Sequence, residues 1–255
     1  MSSDTKRVQE KLLSMAVIIS GILDKHHIPH SMVYGTFLGA IRHQGFIPWD
    51  DDFDFCIFDD VYDEAIQWLR EELPKDLFVE DGKTEPLYFH SWAHVKDLYS
   101  EAISKAFPQD NAYLHKGLSI DLYRMKKLRM ADVSTEFVKQ IHKYIDRRRE
   151  LGLIDDAEYN RRLSYSKMVP EYFKKRFPNE TEESLQREVY ANIYTSQFCV
   201  DVDDFLPLKK YKFEDTEFWG LNNVDKVLKH WYGDYMALPP EEKRRSHYDV
   251  VKFLK

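Results

Sequence analysis

The chain has 255 residues, with 37 basic and 44 acidic side chains and a formal net charge of −7. That length can bury a real core, and a composition of 43% apolar, 32% charged and 15% aromatic residues with nine glycines excludes long disordered tracts. The acidic balance argues against a general nucleic-acid binder. No apolar run approaches the roughly 18 residues of a membrane helix. The start, Met1-Ser2-Ser3-Asp4, lacks the layout of a signal peptide. Cys56 and Cys199 form neither a metal pattern nor a disulfide framework, so the expectation is a cytoplasmic protein with two thiols packed as small hydrophobes.

Val8, Leu12, Met15, Ile19 and Ile22 recur at helical spacing and predict an amphipathic first helix that cannot continue past Pro29. A short run Ser31–Tyr34 leads into Gly35-Thr36 and a small helical pattern through Phe37, Leu38 and Ile41, broken at Gly45 and Pro48. Phe53, Phe55 and Ile57 alternate with Asp52, Asp54 and Cys56, the period of a strand with one apolar face. A helix is predicted near Tyr62–Glu72. Strands follow at Leu87–Phe89, Ala93–Leu98 and Leu118–Tyr123. After Met130 the pattern turns helical over about 132–196. There Asn179 and Glu182 resemble a capping box ahead of Leu185, Val189 and Ile193. The tail predicts a strand near Tyr211–Trp219 and a helix near Val224–Tyr232. This order indicates an α+β fold.

Asp50, Asp52 and Asp54 stand two apart, so on a strand they share a face. Packed carboxylates repel one another, and a cation removes that cost. Oxygen ligands select Mg²⁺ or Mn²⁺. The other reading, a solvated acidic loop, is disfavoured by the apolar alternation. Gly35-Thr36 sits at a strand-to-helix turn, whose exposed N–H groups suit a phosphate. A Gly-Ser-like turn followed by Asp-x-Asp on the next strand resembles the nucleotidyltransferase superfamily. A third carboxylate normally completes such a site. Asp121 is the best placed, ahead of Asp97 and Asp110.

The run Gly35–His43 with Gly45–Asp54 closely resembles the LicD family. Pro207–Lys210, Phe213-Glu214, Tyr232–Met236 and Leu238–Pro240 are similar to its C-terminal motif. The resemblance implies a nucleotidyltransferase-like mixed sheet flanked by helices. It also implies a metal-dependent enzyme that moves a phospho-alcohol from a CDP-linked donor to a surface glycan such as lipopolysaccharide or teichoic acid. The group moved is phosphocholine, or ribitol phosphate in the fukutin-related branch. It makes Asp52, Asp54 and Asp121 the catalytic metal ligands, with Asp50 a neighbouring acid. The family commonly continues after its later aspartate with Phe-Pro, whereas Asp121 is followed by Leu122-Tyr123-Arg124.

Gly35, Thr36, Arg42, His43, Asp50 and Lys209 are the expected substrate contacts. For Arg42 and His43 the competing reading is a basic helix C-terminus, and for Lys209 and Lys210 a surface strand end. Trp49 walls the site or packs, and Tyr34 belongs to the core. Arg147–Arg149 and Lys174–Arg176 read as solvated helix faces. The expected organisation is a catalytic core over 1–130, a helical acceptor-specificity region over 131–200 and a C-terminal segment over 201–255 that packs back on the core. A lipid-linked acceptor would be met peripherally from the cytoplasmic side, and no nucleic-acid partner is expected. Two other classes stay open: a nucleotidyltransferase proper, which transfers a nucleotide and releases pyrophosphate, and an inactive binding module, which the intact Asp52 and Asp54 disfavour.

Overall fold

A computed structural model describes residues 3–105, 108–192 and 199–254. Helix α1 (Ser3–Lys25) buries Leu12, Met15, Ile19 and Leu23 completely. It stops where His27 turns left-handed at φ 55 and the Ile28 N–H donates to Leu23 O, just before Pro29. Strand β1 (His30–Met32) runs into α2 (Tyr34–His43), then come β2 (Asp54–Phe58) and α3 (Tyr62–Glu72). After β3 (Leu77–Glu80), β4 (Ala93–Asp97) and β5 (Ser100–Ser104), the long β6 (Ser119–Arg129) continues directly into α4 (Met130–Glu150). Helices α5 (Asp156–Ser166) and α6 (Val169–Arg176) precede β7 (Glu188–Ala191), β8 (Cys199–Asp201) and the single turn α7 (Val202–Phe205). The chain closes with β9 (Lys209–Phe213), β10 (Thr216–Gly220), α8 (Val224–Tyr232) and β11 (Tyr248–Phe253).

The fold is α+β. Among the described residues, a seven-stranded mixed sheet runs β1-β2-β6-β4-β3, with β7 on β6 and β8 on β7. Only β2 and β6 are parallel neighbours; the other pairs are antiparallel. β9 and β10 form a hairpin, and β11 pairs with β5. The main core joins α1, α2, α3, both faces of β2 and the aromatic side chains Phe213, Phe218 and Trp231 of the tail. No described helix is long and apolar enough to cross a membrane.

Five expectations change. The single strand expected near Tyr211–Trp219 is the β9–β10 hairpin, which turns at Glu214 with φ 54. Strand β2 starts at Asp54, and all five of its residues are buried, so it has no solvated face. Leu87–Phe89 is not a strand: Tyr88 and Phe89 pack with Tyr113 in a satellite cluster beneath Tyr144 of α4. The segment after Asn179 makes only the 3₁₀ turn Ser184–Gln186 and then β7. There Val189 and Ala191 face Met130, Val133 and Phe173 while their backbone completes the ladder of β6. That ladder and that cluster outweigh the local helical spacing. Ile193 lies outside the described residues. The Arg147–Arg149 run is not simply solvated, since Arg148 is buried over the Phe89 ring and Arg147 donates to the carbonyls of Tyr88 and Pro86.

Candidate active site

The site grows from the β2–β6 pair. Parallel register sets Asp54 of β2 directly beside Asp121 of β6, and β4 places His94 on the other side of Asp121. Helix α2 supports β2 from below: the Asp54 backbone N–H donates to the buried Thr36 hydroxyl at 2.9 Å. The turn Gly35-Thr36 and the acidic strand are therefore one hydrogen-bonded unit. Gly35 is needed for space, because a β-carbon there would stand 3.2 Å from Asp50 Oδ2.

Asp50, Asp51 and Asp52 lie in the extended segment ahead of β2. Gln9 of α1 pins that segment by donating to the carbonyls of Ile47 and Asp50. His247, 196 residues after Asp51, enters the cluster from the tail. Asp51 accepts from the His247 backbone N–H at 2.6 Å. His247 Nδ1 lies 3.0 Å from Asp51 Oδ1, and Nε2 lies 3.4 Å from Asp52 Oδ2. The bond to Asp51, with the fields of Asp52 and Asp50, lifts His247 to a pKa of about 10, so it is an imidazolium at neutral pH. Burial and the Asp52 charge push Asp50 well above the carboxylate range. Burial, then Asp52 and Asp121, do the same to Asp54, and burial raises Asp52.

Asp50, Asp52 and His247 each offer one ligand atom within 4.8 Å of the others. Half-buried carboxylates crowded this closely suit a hard divalent cation, which would displace the His247 proton if that ring took part. Asp54 and Asp121 adjoin this group in the strand register rather than sharing its ligand sphere.

A cleft joins Asp52 and Asp121 to His94, Lys96, Lys116 and His247. Burial lowers His94 to a pKa of about 3, so it is neutral, with Nε2 3.3 Å from Asp121 Oδ1. Tyr123 lies two residues along the same face of β6 and donates its hydroxyl to Asp121 Oδ2 at 2.9 Å.

The expected anion contacts separate. Arg42 uses Nη1 on the carbonyls of Tyr235 at 2.9 Å and Ala237 at 3.3 Å, and its Nε donates to His43 Nε2. Lys209 donates to Asn222 O, while Lys210 pairs with Asp24 and lies over the Trp219 ring. Trp49 is sandwiched between His43 and Arg244, and Tyr34 is core. The two distant motifs meet physically: Phe46 N–H donates to Glu214 Oε1 at 3.0 Å, and Glu214 N–H donates to Gln44 O at 2.7 Å. Asp51, Tyr123 and His247 were not singled out from the sequence. No spacing signal connects His247 to Asp52, and Tyr123 shows itself only through its two-residue offset from Asp121.

Comparison with known proteins agrees with this geometry. The chain is 24% identical over 271 aligned positions to the lipopolysaccharide cholinephosphotransferase LicD of Haemophilus influenzae, with 97% of each chain covered. It is 28% identical over 137 positions to an uncharacterised protein of Rickettsia typhi, covering 49% of this chain and 42% of that one. A 54-residue stretch is 49% identical to an uncharacterised protein of Rickettsia prowazekii. Residues 27–116 match the model of the LicD/FKTN/FKRP nucleotidyltransferase domain, a stretch that holds β1, α2, β2 and the aspartates between them.

Proposed function

We propose that this chain transfers phosphocholine from CDP-choline to a hydroxyl of a lipopolysaccharide-type glycan or its precursor. The observation that carries the reading is the in-register pair Asp54 and Asp121 beside Asp52, in a chain similar to a named cholinephosphotransferase over 97% of its length. The acceptor oxygen bonds to the phosphorus distal to the nucleoside. The bond from that phosphorus to the bridging oxygen breaks, and CMP leaves with the electron pair.

Asp52 would be the centre of a Mg²⁺ or Mn²⁺ site, with Asp50 and His247 beside it and the strand pair Asp54 and Asp121 adjoining. When bound, the cation neutralises the pyrophosphate and the charge that grows on the leaving oxygen. Lys96 and Lys116 face the same cleft and attract the donor phosphates. Asp50 is placed to take the acceptor's proton, since Gly35 leaves room at Oδ2 and the cation would keep its carboxylate ionised. Gln9 and Glu214 position the segment that carries the aspartates through backbone contacts at Asp50 and Phe46, and Arg42 holds the tail at Tyr235. The reaction would take place on the cytoplasmic side, before the glycan is exported.

Incubating the chain with Mg²⁺, a delipidated glycan acceptor and a panel of CDP-alcohols, followed by mass spectrometry, tests the reading. Release of CMP with a gain of one phosphocholine on the acceptor is the expected result. Pyrophosphate released from a nucleoside triphosphate would replace this reading with nucleotidyl transfer.

A further inference from the structure

A second cavity, of about 530 Å³, opens between the start of β4, β6 and helices α4 and α5. Trp92, Tyr123, Tyr144 and Tyr165 line it together with Ile145. The Trp92 and Tyr123 rings are 4.9 Å apart at their centroids, inclined by 39°. Tyr144 is held by Arg148, whose Nη1 donates to its hydroxyl at 2.9 Å. Arg162 is the charged residue of the lining, and its Nε donates to Glu158 Oε1 at 2.7 Å, a carboxylate it shares with Arg161.

This lining has a chemical meaning. Its surface is mostly aromatic and aliphatic, with Gln140 and Ser166 as further polar side chains beside the tyrosine hydroxyls. A polyol or sugar needs a partner for each hydroxyl and would leave polar groups unpaired here. A quaternary ammonium carries positive charge without any N–H, so aromatic faces are its natural contacts. The cavity also touches the catalytic cluster through one residue. The Tyr123 ring lines the cavity while its hydroxyl donates to Asp121 Oδ2 at 2.9 Å. A phosphate held at the aspartates and a trimethylammonium held among the aromatics would therefore be about a phenol's length apart.

Resting on the phosphocholine reading above, we infer that the Trp92–Tyr123–Tyr144–Tyr165 cavity is the site of the donor's trimethylammonium head and selects the transferred alcohol by its charge. Tyr165 is 56% exposed, so its replacement leaves the packing of the core alone.

Two measurements test this separately from the catalytic reading. The first compares CDP-choline with the CDP ester of 3,3-dimethylbutanol, its neutral carbon isostere. The expected kcat/KM ratio is about 10-fold or more in favour of choline. Tyr165→Leu should collapse that ratio, and Tyr165→Phe should keep it. Equal use of both donors, or a ratio unchanged in Tyr165→Leu, overturns the cavity assignment while leaving phosphocholine transfer intact. The second is calorimetric titration of the whole chain with tetramethylammonium. Binding that is weakened in Tyr165→Leu and Trp92→Leu supports the cavity even if neither CDP ester is turned over, which would sink the proposed function alone. No heat of binding in the wild-type chain overturns the cavity.

Discussion

The Asp54 backbone N–H and the Thr36 hydroxyl are 2.9 Å apart in a fully enclosed setting, so the small-residue turn and the acidic strand are joined by a hydrogen bond. Thr36→Val removes the acceptor and keeps the shape, leaving the Asp54 N–H buried without that bond. The expected loss is about 1–3 kcal/mol of stability, measured by urea denaturation. Thr36→Ser, which restores the hydroxyl, should recover most of it. Equal stability of the Val and Ser variants would show that the bond carries no weight.

Asp52 and Asp54 should trade stability for activity. Burial and mutual repulsion disfavour their ionised forms, so Asp54→Asn should raise the melting temperature in EDTA. The same variant should lower turnover by about 10²-fold or more, the scale lost when one group that stabilises transition-state charge is removed. Saturating Mg²⁺ or Mn²⁺, at about 100 times its Kd, should stabilise the wild-type chain by roughly 2.7 kcal/mol. That gain should vanish in Asp52→Ala. A divalent-cation shift that survives in Asp52→Ala and Asp54→Asn would place the cation elsewhere.

Glu80 sets a pH dependence just behind the cluster, with His94 between it and Asp121. It is fully buried on β3, and burial pushes its carboxyl up to about 7, with Lys96 3.7 Å away pulling it back. An acid whose folded pKa is raised stabilises the fold fully below its unfolded pKa, about 4.3. That stability is lost as the pH rises through about 7. Wild-type stability should thus decline between pH 5 and 8, by at most about 3 kcal/mol from this group. Denaturation curves of Glu80→Gln across that range should be flatter, and the variant should be the more stable protein at pH 8.

Arg42 separates a positioning role from an anion contact. Its guanidinium holds the carbonyls of Tyr235 and Ala237. Arg42→Ala should accelerate hydrogen exchange around 233–240 and lower kcat, with the donor KM changed less than about 3-fold. A large rise in donor KM with unchanged exchange would assign Arg42 to the phosphates instead.

Much of the fold was legible where one segment carries its own signal. Helices α1, α3 and α8 follow from apolar spacing, and Tyr62–Glu72 and Val224–Tyr232 match their predicted spans. β6 was legible from the alternation of Leu118, Ile120 and Leu122, and the Gly35-Thr36 turn from small residues at a helix start. β7 was not, because Val189 has helical spacing from Leu185 and becomes a strand only where β6 offers an unpaired edge. The β5–β11 pairing was equally hidden, since it joins Ser104 to Tyr248 across most of the chain.

The amino-acid sequence by itself determined the chemistry available: three aspartates two apart behind a Gly-Thr turn, and a later aspartate on an alternating strand. Those are local facts, set by the two-residue period of a strand and the phosphate affinity of a helix start. Only the tertiary structure decided which groups share the site. Register between parallel strands put Asp121 beside Asp54, and a tail residue with no sequence signal, His247, brought a positive charge to Asp51 and Asp52. The aromatic cavity is likewise a product of packing: its four rings come from a loop, a strand and two helices, and no window of the chain contains them together. Contacts between distant segments depend on how the sheet is ordered, and that order is settled by burial summed over the whole core rather than by any one motif.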